Sequence, residues 1–358
     1  MTGSDWALGP FTREGEILKA GTVATFRCPV TGRQVTWAAK DLFNPGAVVH
    51  DGKVALLVRG EDEIGRYSGT SRVGLATSTD GLHFEVEQEP VLFPADDAWQ
   101  AWEWPGGCED PRVVERPDGG YVCTYTAFDG KAASLFVATS DDLRVWTKHG
   151  PAFAGTAYER RWTKSGAILT EVHDGRLVAA NVDGRFWMHW GEGTVFGATS
   201  TDLIRWQPVE FDPGADRYLS YPSGWQVHRV TGSPVLQPMM SPRHGRFDSL
   251  LVEPGPPPVL TDDGVVLLYN GANHPRRGDA TSPAFAYQPG QALFDGLDPT
   301  ALLARKREPF LRVEGVGESV GQVGNVCFAQ GLVLFEDRWL LYFGMADSRI
   351  GCASAVRS

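Results

Sequence analysis

The stretch "GGCEDPRVV", Gly106 to Val114, combines two adjacent carboxylates with an arginine at the start of an apolar run. Glu109 and Asp110 come directly before Pro111 and Arg112. One carboxyl group can protonate a leaving oxygen while a second carboxylate activates the attacking group, which is the chemistry of glycosidic bond cleavage. An ion pair between Arg112 and either carboxylate is the structural alternative for the same residues.

Polar and charged residues also stand at the beginning or end of several other apolar runs. They are Asn44 in "FNPG", Arg59 and Glu61 in "LLVRGED", Lys164 in "WTKSG", Glu253 in "VEPGPPP", Tyr269 and Asn270 in "LLYNG", and Asp347 in "LYFGMAD". Charge is costly at the end of a packed sheet unless it has a partner or a ligand. We therefore expect these side chains to converge with Asp110 on one substrate-binding pocket.

Two tryptophans near the acidic pair, Trp104 and Trp162, are of the residue type that stacks on sugar rings. Packing in the core is the alternative for both. The eight histidines show no metal-binding spacing, and "GVGESVG" (Gly315 to Gly321) lacks the dinucleotide-binding pattern. No metal and no cofactor are therefore expected.

The elements that position these residues are indicated by an internal repeat. Three strings share an apolar run, a Ser/Asp turn and an aromatic residue, namely "VGLATSTDGLHFE", "LFVATSDDLRVWT" and "VFGATSTDLIRWQ". The serines of their common "ATS" are Ser78, Ser140 and Ser200, which are 62 and 60 residues apart. A residue that every repeat needs is structural, which predicts a turn-forming role for Asp80, Asp141 and Asp202.

Five hairpin patterns accompany this repeat, and four strands in about sixty residues are typical of a propeller blade. The sequence therefore predicts an all-β fold, a five-bladed β-propeller, as a single domain over residues 1–358. Residues 1–40 are expected to supply the strand that closes the ring. An insertion of loops is predicted around residues 207–250, and a helical turn only near "DPTALLAR" (Asp298 to Arg305).

Composition restricts the partners. The chain has 33 basic and 44 acidic residues, a net charge of −11, which disfavours nucleic acid and anionic membranes. No apolar run of eighteen residues and no signal-peptide pattern are present. The five cysteines form no CxxC pair, which predicts free, mostly buried thiols and a cytoplasmic location. A homo-oligomer is left open.

The chain resembles glycoside hydrolase family 130, the five-bladed enzymes that cleave β-mannosides. The resemblance lies in "FNPGAV", "LLVRGED", "SRVGLATSTDGLHF", "EDPRV", "WTKSGAI", "GPPPVLTDDGVVLLYNGA", "PGQALFDGLDP" and "LYFGMADSRIGCA", in this order over nearly the whole chain. It implies that Asp110 is the general acid of an inverting reaction, and we expect Asp110 to be protonated before catalysis. Asp347 would contact the sugar.

In the phosphorylases of this family, phosphate attacks the sugar. The resemblance implies Arg59, Lys164 and, less directly, Arg161 as phosphate-binding residues, with inorganic phosphate as co-substrate. Two departures oppose this, because Asn270 stands where the phosphorylases have a phosphate-binding histidine and Glu253 adds a carboxylate. Both changes disfavour a phosphate dianion.

These departures predict hydrolysis of a β-mannoside or a related short oligosaccharide. Glu253 is the first candidate for the base that activates water, and Glu61 is the second. A neutralising contact between Glu253 and a nearby cation is the structural alternative. Phosphorolysis with release of a sugar 1-phosphate is the alternative reaction, and a non-catalytic carbohydrate-binding propeller is the third possibility, although a binding protein has no need for a proton donor such as Asp110.

Overall fold

The computed structural model describes residues 6–21, 25–63, 69–211 and 235–357, in which the regular secondary structure is almost only β-strand. Within these residues there are two short helices, α1 (Gln100–Glu103) and α2 (Gly315–Ser319). Short β-branched and aromatic runs separated by Gly and Asp turns explain the predominance of strands. No helix in the described part of the chain is long and apolar enough to cross a membrane.

The N-terminal region contributes three strands: β1 (Thr12–Lys19), β2 (Thr25–Arg27) and β3 (Gln34–Thr36). β2 and β3 form a two-stranded antiparallel sheet. β1 instead pairs with a strand at the other end of the chain, described below.

The first two units are four-stranded antiparallel meanders. The first comprises β4 (Asp41–His50), β5 (Lys53–Glu61), β6 (Ser71–Ser78) and β7 (Glu85–Leu92). The second comprises β8 (Gly107–Glu115), β9 (Tyr121–Phe128), β10 (Ala133–Ser140) and β11 (Thr147–Pro151). In both units each strand pairs with the next one along the chain.

The third unit is more broken. Its strands are β12 (Gly166–Ile168), β13 (Thr170–His173), β14 (Arg176–Ala179), β15 (Asn181–Val182), β16 (Arg185–Trp190), β17 (Val195–Ser200), β18 (Gln207–Pro208) and β19 (Pro238–Met240). Both β18 and β19 pair with β17. Both strands lie within the predicted insertion at 207–250, of which residues 212–234 lie outside the described residues.

The last two units complete the chain. The fourth comprises β20 (Leu251–Pro254), β21 (Val259–Thr261), β22 (Gly264–Ala272), β23 (Tyr287–Phe294) and β24 (Leu302–Arg305). The fifth comprises β25 (Cys327–Phe335), β26 (Arg338–Met345) and β27 (Arg349–Val356), and β1 pairs with β27. The N-terminal region thus supplies a strand beside the last one, as expected. Of the helical turn expected near residues 298–305, one hydrogen-bonded turn is formed, from the Ala301 N–H to the Asp298 carbonyl oxygen, and β24 occupies the rest.

Short parallel pairings join several of these units. The strands form sheets of fifteen, six, four and two strands, and no sheet closes on itself within the described residues. All five cysteines are buried and free, which confirms that part of the prediction.

The repeated "ATS" turns share one local structure. Ser78 Oγ donates to Asp80 Oδ1 (2.8 Å), and Asp80 Oδ1 then accepts the next backbone N–H groups. The same pattern recurs at Ser200 with Asp202 and at Ser140 with Asp142. In the second repeat the turn residue is therefore Asp142 and not Asp141, because the hydrogen-bonding geometry needs a carboxylate two residues after the serine.

The first strands of the units approach each other so closely that glycine is required. A Cβ atom on Gly46 of β4 would lie 2.7 Å from the carbonyl oxygen of Pro111 in β8. A Cβ on Gly331 would lie 2.8 Å from the Pro45 oxygen. The amide of Gln330 donates to the carbonyl oxygens of Asn44 and Pro111 (2.7 and 2.9 Å), so backbone contacts fill the space between these strands.

Gly46→Ala is expected to destabilise the protein by about 1–3 kcal/mol. The added methyl group would overpack the contact between β4 and β8, because neither strand can move away without losing its own pairing. Gly296→Ala is the matched control, since a Cβ there would meet only ordinary contacts beyond 3.4 Å. The measurement is the midpoint of guanidinium unfolding. Equal midpoints for the two variants would contradict the close backbone contact between the first strands at Gly46.

Candidate active site

Two β-bulges aim polar side chains out of the first strands of units one and two. Asn44 and Asp110 both have left-handed backbone angles, with φ of 44° and 48°, and the strand register shifts at both places. Asn and Asp tolerate this conformation better than other residues with side chains. As a result Asn44 Nδ2 donates to Asp110 Oδ1 at 3.0 Å across the two units.

Arg59 lies at the centre of the acidic residues. Its Nη1 donates to Asp110 Oδ1 (2.9 Å), and its Nη2 donates to Glu61 Oε1 (2.8 Å) and Glu109 Oε1 (2.9 Å). Its Nε donates to Ser71 Oγ at 3.0 Å. The side chain is buried, so three carboxylates compensate one desolvated positive charge.

Lys164 is the second cation of this cluster. Its Nζ lies 3.2 Å from Glu109 Oε2 and 5.7 Å from the centre of the Phe128 ring. Attraction to Glu109 raises the pKa of Lys164 against the opposing effect of burial. Arg59 and Lys164, two of the three residues predicted to bind phosphate, are therefore already paired with carboxylates.

The pKa of Asp110 lies below its ordinary value. Burial raises it, but Arg59, Lys164 and the hydrogen bond from Asn44 outweigh burial. Asp110 is therefore a carboxylate in the free protein, and its protonation before catalysis stays a prediction for the substrate complex. Its Oδ2 accepts no hydrogen bond from the described residues and is the oxygen left for a ligand.

Asp347 shares the pocket with Asp110. It lies in the turn between β26 and β27, where Ala346 and Asp347 both have left-handed backbone angles (φ of 49° and 51°). Burial raises the pKa of Asp347 to about 7, with Arg59 lowering it and Asp110 raising it. Asp347 therefore lies within electrostatic reach of Arg59 and Asp110.

Glu253 forms the opposite side of the site. It lies next to the last residue of β20 in a buried position, and its Oε2 accepts a hydrogen bond of 2.6 Å from Ser165 Oγ. Burial raises the pKa of Glu253 to about 8, and the negative charge of Glu192 is the next cause. Asp110 also raises this pKa, so Glu253 lies within electrostatic reach of the acidic cluster.

The sequence analysis did not identify Glu192 and Tyr287. Glu192 is a single charge in a Gly-rich turn, and no motif distinguishes it. Tyr287 begins β23, where burial followed by the charges of Glu253, Glu192 and Asp347 raises the pKa of its hydroxyl. Glu253 and Glu192 are therefore a second acidic group, within electrostatic reach of the Tyr287 hydroxyl.

Three predicted substrate contacts lie instead in structural positions. Arg112 is buried and donates to the carbonyl oxygens of Gly255 (2.7 Å) and Pro254 (2.9 Å) and to Ser165 Oγ (3.1 Å), so it joins units two, three and four. These hydrogen bonds engage the Nε and Nη2 donors of its guanidinium group. The suggested ion pair of Arg112 with Glu109 or Asp110 is not formed among the described contacts.

Tyr269 and Asn270 also face the protein and not a pocket. The Tyr269 hydroxyl donates to Asp248 Oδ2 at 2.7 Å, and its ring lies in the core. The Asn270 amide donates to the carbonyl oxygen of Ala329 and accepts the Ala329 N–H, both at 2.9 Å. Asn270 therefore joins units four and five, in place of its expected contact with substrate.

Glu61 is fully buried and already accepts hydrogen bonds from Arg59, Lys40 (3.2 Å) and Gln322 (3.1 Å). These donors already occupy both of its oxygens, so we assign Glu61 to the positioning of Arg59, in place of its expected role as a second candidate base.

The predicted aromatic and basic residues at the rim differ in exposure. Trp104 packs, partly buried, against the core of the first unit. Trp162 is 49% exposed, and its indole Nε1 donates to Glu192 Oε2 at 2.8 Å. Arg161 is exposed and lies over the Phe196 ring at 5.4 Å, without a contact to Arg59 or Lys164 among the described residues. Only Trp162 lies beside the carboxylates of the pocket.

Known proteins resemble the chain over nearly its full length. A family profile described as beta-1,4-mannooligosaccharide phosphorylase matches residues 25–357. A 1,2-beta-oligomannan phosphorylase and a beta-1,2-mannobiose phosphorylase, both of Thermoanaerobacter sp. (strain X514), are each 28% identical, over 88% of this chain and 90% of theirs. Their names favour phosphorolysis, the alternative reaction of the sequence analysis, over hydrolysis.

Solved structures add closer likenesses. A glycosyl hydrolase from Bacteroides ovatus is 43% identical, with a TM-score of 0.89 over 98% of this chain and 94% of that one. The same figures hold for a structure described with GH130 glycoside hydrolases that target beta-1,2 mannosidic linkages in Candida mannan. The match of family profile, curated relatives and solved structures confirms the resemblance seen in the sequence. The chain belongs to glycoside hydrolase family 130.

Proposed function

We propose that the protein is an inverting glycosidase that hydrolyses β-1,2-linked manno-oligosaccharides, with water as the attacking group. The observation that carries this proposal is Glu253, a buried carboxylate with a pKa of about 8 opposite the Asp110–Arg59 cluster. Once it has given up its proton, a carboxylate with a raised pKa is a stronger base than one with an ordinary pKa. The β-1,2 linkage is supported by the names of the relatives and of the 43% identical structure.

We also propose that the five antiparallel units are the blades of a five-bladed propeller forming one domain over residues 1–358. The close contacts of Gly46, Gly255 and Gly331 between first strands support a common centre. The free and buried cysteines support a cytoplasmic location, since such thiols persist in a reducing compartment.

Asp110 is the proposed general acid. In the free enzyme the proton resides on Glu253, because the pKa of Asp110 is the lower of the two. Bound saccharide displaces water from Asp110, which favours its neutral form, and the productive arrangement carries the proton on Asp110. Asp110 then protonates the leaving oxygen while Glu253 takes a proton from the water that attacks the anomeric carbon. The products are free mannose and a shortened saccharide.

The charges of the pocket oppose a phosphate dianion. Arg59 already faces three carboxylates, Lys164 is paired with Glu109, and Asn270 has no free amide. A phosphate beside Glu253 would also meet a like charge whenever Glu253 is ionised. Water has no net charge and avoids this repulsion.

Phosphorolysis is the second candidate. The names of the curated relatives favour it, as does the presence of Arg59 and Lys164 in one pocket. In that reaction phosphate would have to displace Glu109 from the two cations, and inversion would yield a sugar 1-phosphate.

Product identity distinguishes these reactions. With β-1,2-mannobiose, we expect free mannose to form at the same rate with and without inorganic phosphate. Glu253→Gln should lower this rate about a hundredfold or more, because the base is lost. Glu171→Gln, an exposed glutamate of β13, is the matched control and should leave the rate unchanged. Accumulation of mannose 1-phosphate and acceleration by phosphate would refute hydrolysis.

Asp110→Asn keeps the shape of the side chain and removes the proton. Cleavage of β-1,2-mannobiose should fall by about a factor of a hundred to ten thousand, the usual contribution of a general acid. An aryl mannoside whose leaving group needs no proton should lose far less. Wild-type rates on the disaccharide would contradict the assignment of Asp110.

The pH profile tests the shared proton. The proton that Asp110 needs for catalysis is held by Glu253 in the free enzyme and is lost near the pKa of Glu253. We therefore expect kcat/KM to fall as the pH rises through about 8. Burial and then Glu192 raise this pKa, so Glu192→Gln should move the fall to lower pH. Asp347, with a pKa of about 7, titrates in the wild type and in Glu192→Gln alike, so it does not alter the difference between their pH profiles. An unchanged fall in Glu192→Gln would contradict the influence of Glu192.

A further inference from the structure

The carboxylate of Glu192 has one hydrogen-bond donor among the described residues. This donor is the indole Nε1 of Trp162, at 2.8 Å from Glu192 Oε2. Trp162 is half-exposed, unlike a tryptophan that serves only the core. An exposed hydrogen bond of this kind contributes little to folding, so its presence beside the pocket calls for another explanation.

The backbone places Glu192 next to Glu253. The Gly191 N–H donates to the Ser165 carbonyl oxygen at 2.9 Å, and the Val252 N–H approaches the Gly193 carbonyl oxygen at 3.4 Å. Ser165 also donates to Glu253 itself. The turn that carries Glu192 is thereby fixed against the end of β20.

The side chain of Glu192 is not fixed by this backbone alone. A free glutamate has several rotamers, and repulsion from Glu253, which is ionised in the productive arrangement, would favour those that point away into solvent. The indole N–H of Trp162 opposes this movement. It retains a second carboxylate beside Glu253, where it can accept a hydrogen bond from the attacking water or from a sugar hydroxyl.

Trp162 is itself held by Phe128. The two rings meet edge to face with their centres 6.5 Å apart, and the Lys164 ammonium lies over the same Phe128 ring at 5.7 Å. Phe128 therefore connects the cation side of the pocket, with Lys164 and Glu109, to the side with Glu192. Packing of the Trp162 ring against Phe128 therefore fixes the direction of the indole N–H.

We propose that Trp162 is a positioning residue for hydrolysis, whose indole N–H holds the Glu192 carboxylate beside Glu253 while its exposed ring contacts the saccharide. The inference rests on the proposed hydrolytic function. It gives Trp162 two separable contributions, since the N–H acts on turnover through Glu192 and the ring acts on substrate binding.

The test is a double-mutant cycle with β-1,2-mannobiose in the absence of phosphate. Trp162→Phe keeps an aromatic ring and removes the N–H donor, so kcat should fall about tenfold, as for loss of a hydrogen bond to a charged group, with KM nearly unchanged. Trp162→Leu removes the ring as well and should also raise KM. In a Glu192→Ala background, Trp162→Phe should cause no further loss of kcat.

Trp146→Phe is the matched control. Its indole N–H also donates a hydrogen bond, to the Leu143 carbonyl oxygen at 2.9 Å, but Trp146 has no contact with the pocket carboxylates. It should keep full activity. Unfolding midpoints of all variants identify any variant that is merely destabilised.

An unchanged kcat in Trp162→Phe, or an equal loss of kcat with and without Glu192, would overturn the positioning role. Neither result would touch hydrolysis, which fails only if the wild-type enzyme requires phosphate. The two failures are therefore distinguished by the wild-type reaction and the cycle, measured side by side.

Discussion

The buried guanidinium of Arg59 is the interaction on which the rest of the pocket depends. A charge removed from water must be compensated on nearly every donor, and Arg59 achieves this with Asp110, Glu109, Glu61 and Ser71. Because these partners come from strands of two different units, the arginine fixes the relative position of the units as well as the orientation of the acid. Substitution of any partner would change the other contacts.

The two sides of the pocket differ in charge and therefore in proton affinity. Beside Arg59 and Lys164, the pKa of Asp110 is held low, whereas burial and neighbouring carboxylates raise the pKa values of Glu253 and Asp347. Such a separation between titratable groups in one site is typical of paired acid and base chemistry. It also explains why the cations do not form a vacant anion site, since each is already engaged by a carboxylate of the first side.

Much of the fold and part of the site could be predicted from the sequence. The repeat indicated the antiparallel units, and charges at strand ends correctly indicated the cluster around Asp110. Sequence could not separate Asp347, which faces the pocket, from Tyr269 and Asn270, which face the core, because bulges and left-handed residues change the side-chain direction after a single position. Glu192 had no signal, since only the folded chain brings its turn beside Glu253.

The glycine contacts between the first strands have a consequence for the path of substrate and product. Backbone of neighbouring units and the amide of Gln330 fill the space next to Asn44 and Pro111, which leaves no passage between these strands. In the reaction we propose, a saccharide could then not pass through the site as through a tunnel. Substrate would enter and product would leave on the same side, and Asp110 would act on the end of a sugar chain.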